Sequence, residues 1–203
     1  MNKVNYDKLM QEQIALAVKS GKNKLLLHAC CAPCSSSCIE RLKEYFDITV
    51  YFYNPNMDSE KEYNLRAEEQ KRLCEIMQVD CVVEKYNKEE FLSVVTGLEN
   101  ECEGGARCVK CFDMRLDKTA EYALKNGFNY FTTTLTVSPL KNADLLNKIG
   151  AKISSEKGIA FLHTDFKKQN GYKRSIELSK EYSLYRQNYC GCEFSRAQNE
   201  NNK

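Results

Sequence analysis

The chain is short of residues that interrupt a fold. Three prolines and nine glycines are spread over 203 residues, with no repeat, low-complexity tract or proline-rich linker to mark a boundary. The expectation is one α/β domain over residues 1–203, long enough to bury a core. A helix within about 1–22 and a polar tail at 196–203 are its expected appendages. Long apolar runs are also missing. Stretches such as Leu25–Leu27 stop after a few residues, against the roughly 20 that a membrane helix needs, and the polar, helix-patterned start does not read as a signal peptide. A cytoplasmic protein without a membrane partner is therefore expected. Charge of one sign is scarce too. Thirty Lys and Arg against 28 Asp and Glu leave a net charge of +2, too little for a whole-molecule field to recruit nucleic acid, although a local patch could do so. At 42% hydrophobic and 29% charged residues, the composition is that of a folded chain rather than a disordered one.

Cysteine is what the chain has in abundance, eleven in all. Four of them fall within "HACCAPCSSSC" (28–38), two side by side. In a reducing compartment structural disulfides are discouraged, and an odd count resists complete pairing, so thiols this close point to metal or redox chemistry.

Periodicity places the cluster in a fold. A helix is expected over 6–20 and a buried strand over 24–29 ("KLLLHA"). A second strand at 48–53 ("ITVYFY") ends at "NPN", where Pro55 has no ladder donor. Ser59 caps a helix running to about 78, and "CVVE" (81–84) is a third strand. A short helix over 89–99 and a glycine-containing loop over 101–111 precede a helix from about 110 to 126, closed by Gly127. The first half of "FNYFTTTLTVSP" is strand-like. Ser138 and Pro139 suit the N-cap and first position of a helix over 140–153, and 159–163 ("IAFLH") is a fifth strand. This alternation predicts a Rossmann-like, mostly parallel sheet with helices on both faces. Ligands of such sheets gather at the carboxyl ends of the strands, where the cysteine loop, Asn54, Thr132–Thr134 and His163 would lie.

Cys108-Val-Lys-Cys111 stands at a helix start, where the dipole favours thiolates. Together with Cys30 and Cys31 it would offer four sulfur ligands, suited to a closed zinc site or a [4Fe-4S] cluster. Spacing leaves the metal open, although an adjacent pair is unlike a zinc ribbon. Cys190-Gly-Cys192 reads as a redox couple, because a disulfide across one residue is strained and easily reduced; two free thiols or further metal ligands are the alternative. Cys74 and Cys81 fit the pattern of small core residues. Cys34, Cys38 and Cys102 stay undecided, with Cys34 near enough to the pair to join its site or bind a second metal. His28 reads as a hydrogen-bonded core residue. His163, close to Asp165, suits proton transfer or a structural hydrogen bond. The run "KKQNGYKR" (167–174) suits either phosphate contact or a solvated loop.

Five motifs occur in order between about residues 25 and 195: "LLLHACCAPC", "YFYNPN" followed by "EYNLR", "CVKCFDMRLDKTAEYA", "FTTTLTVSP" and "LYRQNYCGCEFS". Through them the chain resembles the cobalamin-independent epoxyqueuosine reductases, the QueH family. The resemblance implies the last step of queuosine formation in tRNA, in which an epoxide loses its oxygen as water and becomes an alkene. It also implies that Cys30, Cys31, Cys108 and Cys111 hold a [4Fe-4S] cluster and that Cys190 and Cys192 are the redox-active pair. A second iron would lie beside the cluster, with Cys34 or the 190/192 thiols as candidate ligands. The implied partners are tRNA containing epoxyqueuosine and an electron donor. The proton would come from Asp165, His163 or a tyrosine, and Tyr185, Arg186 and Tyr189 would shape the nucleoside pocket. The layout is similar to the nucleotide-binding fold of tRNA-thiolating enzymes, but cysteines stand where a glycine-serine phosphate loop would be, so ATP is not expected. The rival readings are a zinc-stabilised nucleic-acid-binding module and an ATP-dependent tRNA thiolase.

Overall fold

The computed structural model describes residues 4–201. Five parallel strands, β1 (Lys24–His28), β2 (Asp47–Phe52), β3 (Asp80–Val83), β4 (Tyr130–Thr133) and β5 (Ala160–Phe161), form one sheet in the order β3-β2-β1-β4-β5. The helices are α1 (Tyr6–Ser20), α2 (Ala32–Leu42), α3 (Glu60–Met77), α4 (Lys88–Val95), α5 (Ala106–Lys125), α6 (Ala143–Lys157), α7 (Gly171–Glu181) and α8 (Glu193–Asn201). Among the described residues no helix is long and apolar enough to cross a membrane.

Alternation along β1 builds two cores. Leu25 and Leu27 face one side, with Met10 and Ile14 of α1, Ile39 and Leu42 of α2 and Leu73 of α3. Leu26 faces the other, with Leu116 and Ala120 of α5 and Leu146 and Ile153 of α6. A strand whose successive side chains point to opposite faces must be apolar where both faces are covered, and Leu25–Leu27 of β1 are. From β1 the chain first builds outward through β2 and β3, then crosses back to lay β4 on the other side of β1. That reversal opens a crevice at the carboxyl ends of β1 and β4. Cys30 follows the first of these strands and Thr134 the second, and the Cys30 sulfur lies 3.7 Å from the Thr134 hydroxyl.

Several boundaries differ from the sequence-based expectation. "APCSSSC", expected as part of a loop, is the start of α2. Pro33 sits in its first turn, where no N–H is missed, and the hydroxyls of Ser35 and Ser36 donate to the carbonyls of Cys31 and Pro33 within the helix. Ser138 is not the N-cap of α6. β4 runs instead into a 3₁₀ turn, Thr134–Val137, and α6 begins later, where the Asn142 side chain accepts from the N–H of Leu145. α5 begins at Ala106 rather than near 110, so the 108/111 pair lies inside its first two turns. α4 stops at Val95, and β5 is two residues long, leaving His163 beyond the strand. Part of the basic run 167–174 opens α7, and the expected polar tail begins within α8; residues 1–3 and 202–203 of the expected appendages lie outside the described residues.

Candidate metal–sulfur site

The turn from β1 into α2 solves the problem of adjacent cysteines. Cys30 leaves the strand, Cys31 is the extended N-cap of α2, and Cys34 lies within the first turn. Their sulfurs all lie within 4.8 Å of one another, with Cys30 and Cys31 3.8 Å apart. The thiols of Cys31 and Cys34 donate to Cys30, which holds its pKa well below the ordinary thiol value, aided by the charges of Arg115 and Lys141. Giving that proton raises Cys31 to about 12, and Cys34 is raised as well. The trio thus favours thiolate at Cys30 beside a helix N-terminus, an arrangement suited to a cation.

The other candidate thiols gather next door. Cys108 and Cys111 on α5 line a recess together with Cys190 and Cys192, and they stand outside the group of three that meets within 4.8 Å. Burial pushes Cys111 up to about 11 and Cys192 up to about 12. Both pack with Phe91 and Val95 of α4. The two thiol groups adjoin: Cys190 and Glu103 line this recess and also the larger cavity, of about 320 Å³, into which Cys30, Cys31 and Cys34 open. Glu103 is held by the Ser195 hydroxyl at 2.9 Å, and the same hydroxyl accepts from the Cys190 N–H. All eleven cysteines are free thiols. Gly191 lies at φ +115°, a conformation that side chains oppose, and its carbonyl accepts from the Asp58 N–H at 2.8 Å.

Cations surround these sulfurs. Arg66, Arg107 and Arg115 are among the largest fully buried side chains of the protein. Arg66 pairs with Glu62 at 2.6 Å and lies under the ring of Tyr189, but its buried Nη2 has no hydrogen-bond partner. Arg107 donates to the carbonyls of Leu98, Glu99 and Glu101 and so ties down the loop before α5. Arg115 reaches His28, Asn54 and the Cys111 sulfur. Lys141 enters the large cavity; burial opposes its charge, yet the Cys190, Cys30 and Cys34 sulfurs and Glu103 raise its pKa. Buried cations need anionic company, and here the abundant anion-forming groups are thiols. A donor set of this kind fits a metal–sulfur group whose thiolates leave it with net negative charge.

His28 is the core residue expected. Its Nδ1 meets the Thr133 hydroxyl at 2.9 Å, and burial, with Arg115 beside it, lowers its pKa to about 3, so the ring is neutral. His163 and Asp165 do not line the cavity. His163 stacks on Tyr6 and bonds Gln13, while Asp165 pairs with Lys167. Of the residues expected to shape the pocket, Arg186 and Tyr189 line it and Tyr185 does not. In the basic run Tyr172 reaches the cavity wall, whereas Arg174 is engaged by both oxygens of Glu40. Cys38 and Cys74 are buried in the core, Cys81 packs against it, and Cys102 is exposed. Sequence reasoning missed Arg66, Glu103, Arg115 and Lys141. It left Cys34 undecided, although Cys31-Ala-Pro-Cys34 is itself a CxxC at a helix start.

Sheet, crevice and sulfur donors together define a Rossmann-like α/β protein with a thiol-based centre at the carboxyl edge of its strands. A family model described as "Epoxyqueuosine reductase QueH" matches residues 25–198. A protein of that name from Streptococcus pyogenes serotype M1 is 42% identical over 200 residues, covering 95% of this chain and 78% of its own length. The one from Thermotoga maritima is 36% identical over 174 residues, covering 84% and 89%. Among solved structures, the U34-tRNA thiolase NcsA from Methanococcus maripaludis with its [4Fe-4S] cluster superimposes with a TM-score of 0.56 at 12% identity, over 93% of this chain and 67% of that one. That likeness is one of fold alone. The chain belongs to the epoxyqueuosine reductase QueH family.

Proposed function

We propose that this protein reduces epoxyqueuosine in tRNA to queuosine, the last step of queuosine formation in the cytoplasm. The observation that carries the reading is the adjacency of two thiol groups in a QueH-family chain, one from the β1–α2 turn and one from α5 with the 190–192 loop, in neighbouring cavities that share Cys190 and Glu103 as a common wall. Cys30, Cys31, Cys108 and Cys111 are the residues that would hold a [4Fe-4S] cluster. In support, Cys30 and Cys108 pack against the same apolar cluster, and Arg115 acts on both Cys111 and Cys30. Cys34 is then left beside the cluster as a ligand for an adjacent iron. When bound, such a cluster supplies electrons one at a time.

The chain's own residues do the rest. Converting the epoxide to an alkene and water consumes two electrons and two protons. Joining the thiols of Cys190 and Cys192 in a disulfide releases two electrons and two protons, so the pair balances one turnover, and an external electron donor then reduces it again. A cavity of about 320 Å³ is in the range of a nucleoside-sized ligand. Tyr189, fixed by its hydroxyl on Asp58 and by Arg66 beneath its ring, offers a stacking face. Lys141, cationic and cavity-facing, is placed to donate to the departing oxygen.

The test uses anaerobically reconstituted protein, a chemical reductant and tRNA containing epoxyqueuosine, with the nucleosides read by mass spectrometry. Loss of one oxygen from the modified base supports the reading. Colourless protein holding stoichiometric zinc, with no turnover, overturns it.

A further inference from the structure

We propose that Arg115 is the counter-ion built into the protein for the cluster, joining the two halves of the ligand set and favouring the cluster's reduced state. This rests on the reading of a cluster at Cys30, Cys31, Cys108 and Cys111. Arg115 follows Cys111 by four residues, so its side chain lies on the same face of α5. It is 1% exposed. Its Nη1 lies 4.0 Å from the Cys111 sulfur, and Nη2 donates to Oδ1 of Asn54. The Asn54 amide donates in turn to the carbonyl of Ala29 at 2.9 Å, the residue before Cys30. One guanidinium therefore links the ligand pair on α5 to the ligand pair after β1. The third contact, Nε to Nε2 of His28 at 3.3 Å, is to a neutral ring whose Nε2 also faces the Tyr53 carbonyl at 3.2 Å, and it brings no charge.

The chemistry of these partners is the argument. Arg115 lies against an amide, a neutral imidazole and a thiol, and pairs with no carboxylate. A buried cation without an anion is expensive, and the penalty vanishes when the partner sulfurs are thiolates. Ligation to a metal makes them so. Each electron that enters the cluster adds a negative charge close to Arg115, which stabilises the reduced form over the oxidised one. Arg115 is thus a positioning residue that acts through the cluster.

The test compares R115M and R115K with wild type, each reconstituted anaerobically, assayed for iron and sulfide, and titrated with dithionite while the cluster is followed by electron paramagnetic resonance. For R115M the ratio of reduced to oxidised cluster at a fixed potential should fall by about tenfold, which is about 59 mV for a one-electron couple. R115K, which keeps the charge, should recover most of that shift. The gain in Tm on loading is the second measurement: it should be smaller for R115M than for wild type, because the cluster has lost its counter-ion, and R115K should keep most of it. Loaded R115M with an unchanged potential, or R115K shifted as far as R115M, overturns the inference. If R115M takes up no cluster, R115K decides, and an R115K potential displaced by tenfold or more in the reduced-to-oxidised ratio overturns the inference. Wild-type protein that assembles no iron and sulfide refutes the underlying reading instead.

Discussion

Gly191, between the two thiols of the 190–192 loop, is where a single methyl group should strike the thiol site most directly. Its φ of +115° falls outside the regions open to L-residues, and a Cβ built there would stand 2.6 Å from the Met57 sulfur and 3.1 Å from Arg66 Nη1. Neither neighbour is free to yield: Met57 is fully buried, and Arg66 is held by Glu62. Backbone strain of this kind costs about 1–3 kcal/mol, and overpacking a tight site costs about as much again. The low end of the sum, roughly 2 kcal/mol, lowers Tm by at least about 4 °C in a chain of this size. The loop must also draw away from Met57, which takes Cys190 off the Ser195 hydroxyl. G191A should therefore melt earlier by calorimetry and lose more than about tenfold in turnover, while keeping the iron content of wild type because 190 and 192 are not proposed cluster ligands. A G191A protein that matches wild type in both Tm and turnover refutes the reasoning.

Cys111→Ala should abolish cluster assembly, seen as loss of iron, sulfide and brown colour, and Cys192→Ala should keep the cluster yet suppress turnover; an active Cys192→Ala enzyme would contradict the redox pair. Loading the cluster should raise Tm, and stripping it with a chelator under oxidant should lower Tm to the apo value, as calorimetry would show. Burial lowers the pKa of His163 below its usual 6.5, so the unfolded chain binds more protons just below that pH. Stability is full above about 6.5 and falls as pH drops toward the folded-state value. H163Q should flatten this slope in melting scans from pH 7 to 5, and an identical slope in both proteins would rule the residue out. A Cβ at Gly150 would meet the Phe161 ring at 2.4 Å, so G150A should destabilise by about 1–3 kcal/mol, measured by denaturant midpoint, with the thiol site intact.

The layout of the sheet was legible because β1, β2 and β4 are buried on both faces and carry apolar, β-branched or aromatic runs that no helix pattern matches. α2 was hidden for a local reason. Three consecutive serines favour caps and turns when read as propensities, and only the return of their hydroxyls to carbonyls of the same helix makes the segment helical. Ser138 misled because Ser-Pro is a fair helix start in isolation, whereas the chain there is still descending from the 3₁₀ turn after β4. At the site the donor types were legible and their grouping was not. Cys34 joins Cys30 and Cys31 only once α2 is known, and Cys190 comes to Glu103 through Ser195, a contact between the middle of the chain and its last helix. Arg115 and Arg66 were invisible for another reason: on a helix wheel an arginine reads as a solvated position, and nothing local says that it points inward.

The span of chain between Cys30 and Cys190 bears on how the protein matures. Synthesis runs from the N-terminus, so the β1–α2 trio emerges and can pack long before the segment that carries Cys190 has left the ribosome. Early in that interval the three thiols stand without Arg115 and Lys141, the later-made cations that favour thiolate at Cys30. Cys190 takes its place beside Glu103 only once Ser195 of the last helix reaches both, which makes the order of events during birth of the chain, iron first or docking first, a determinant of how much active protein a cell obtains.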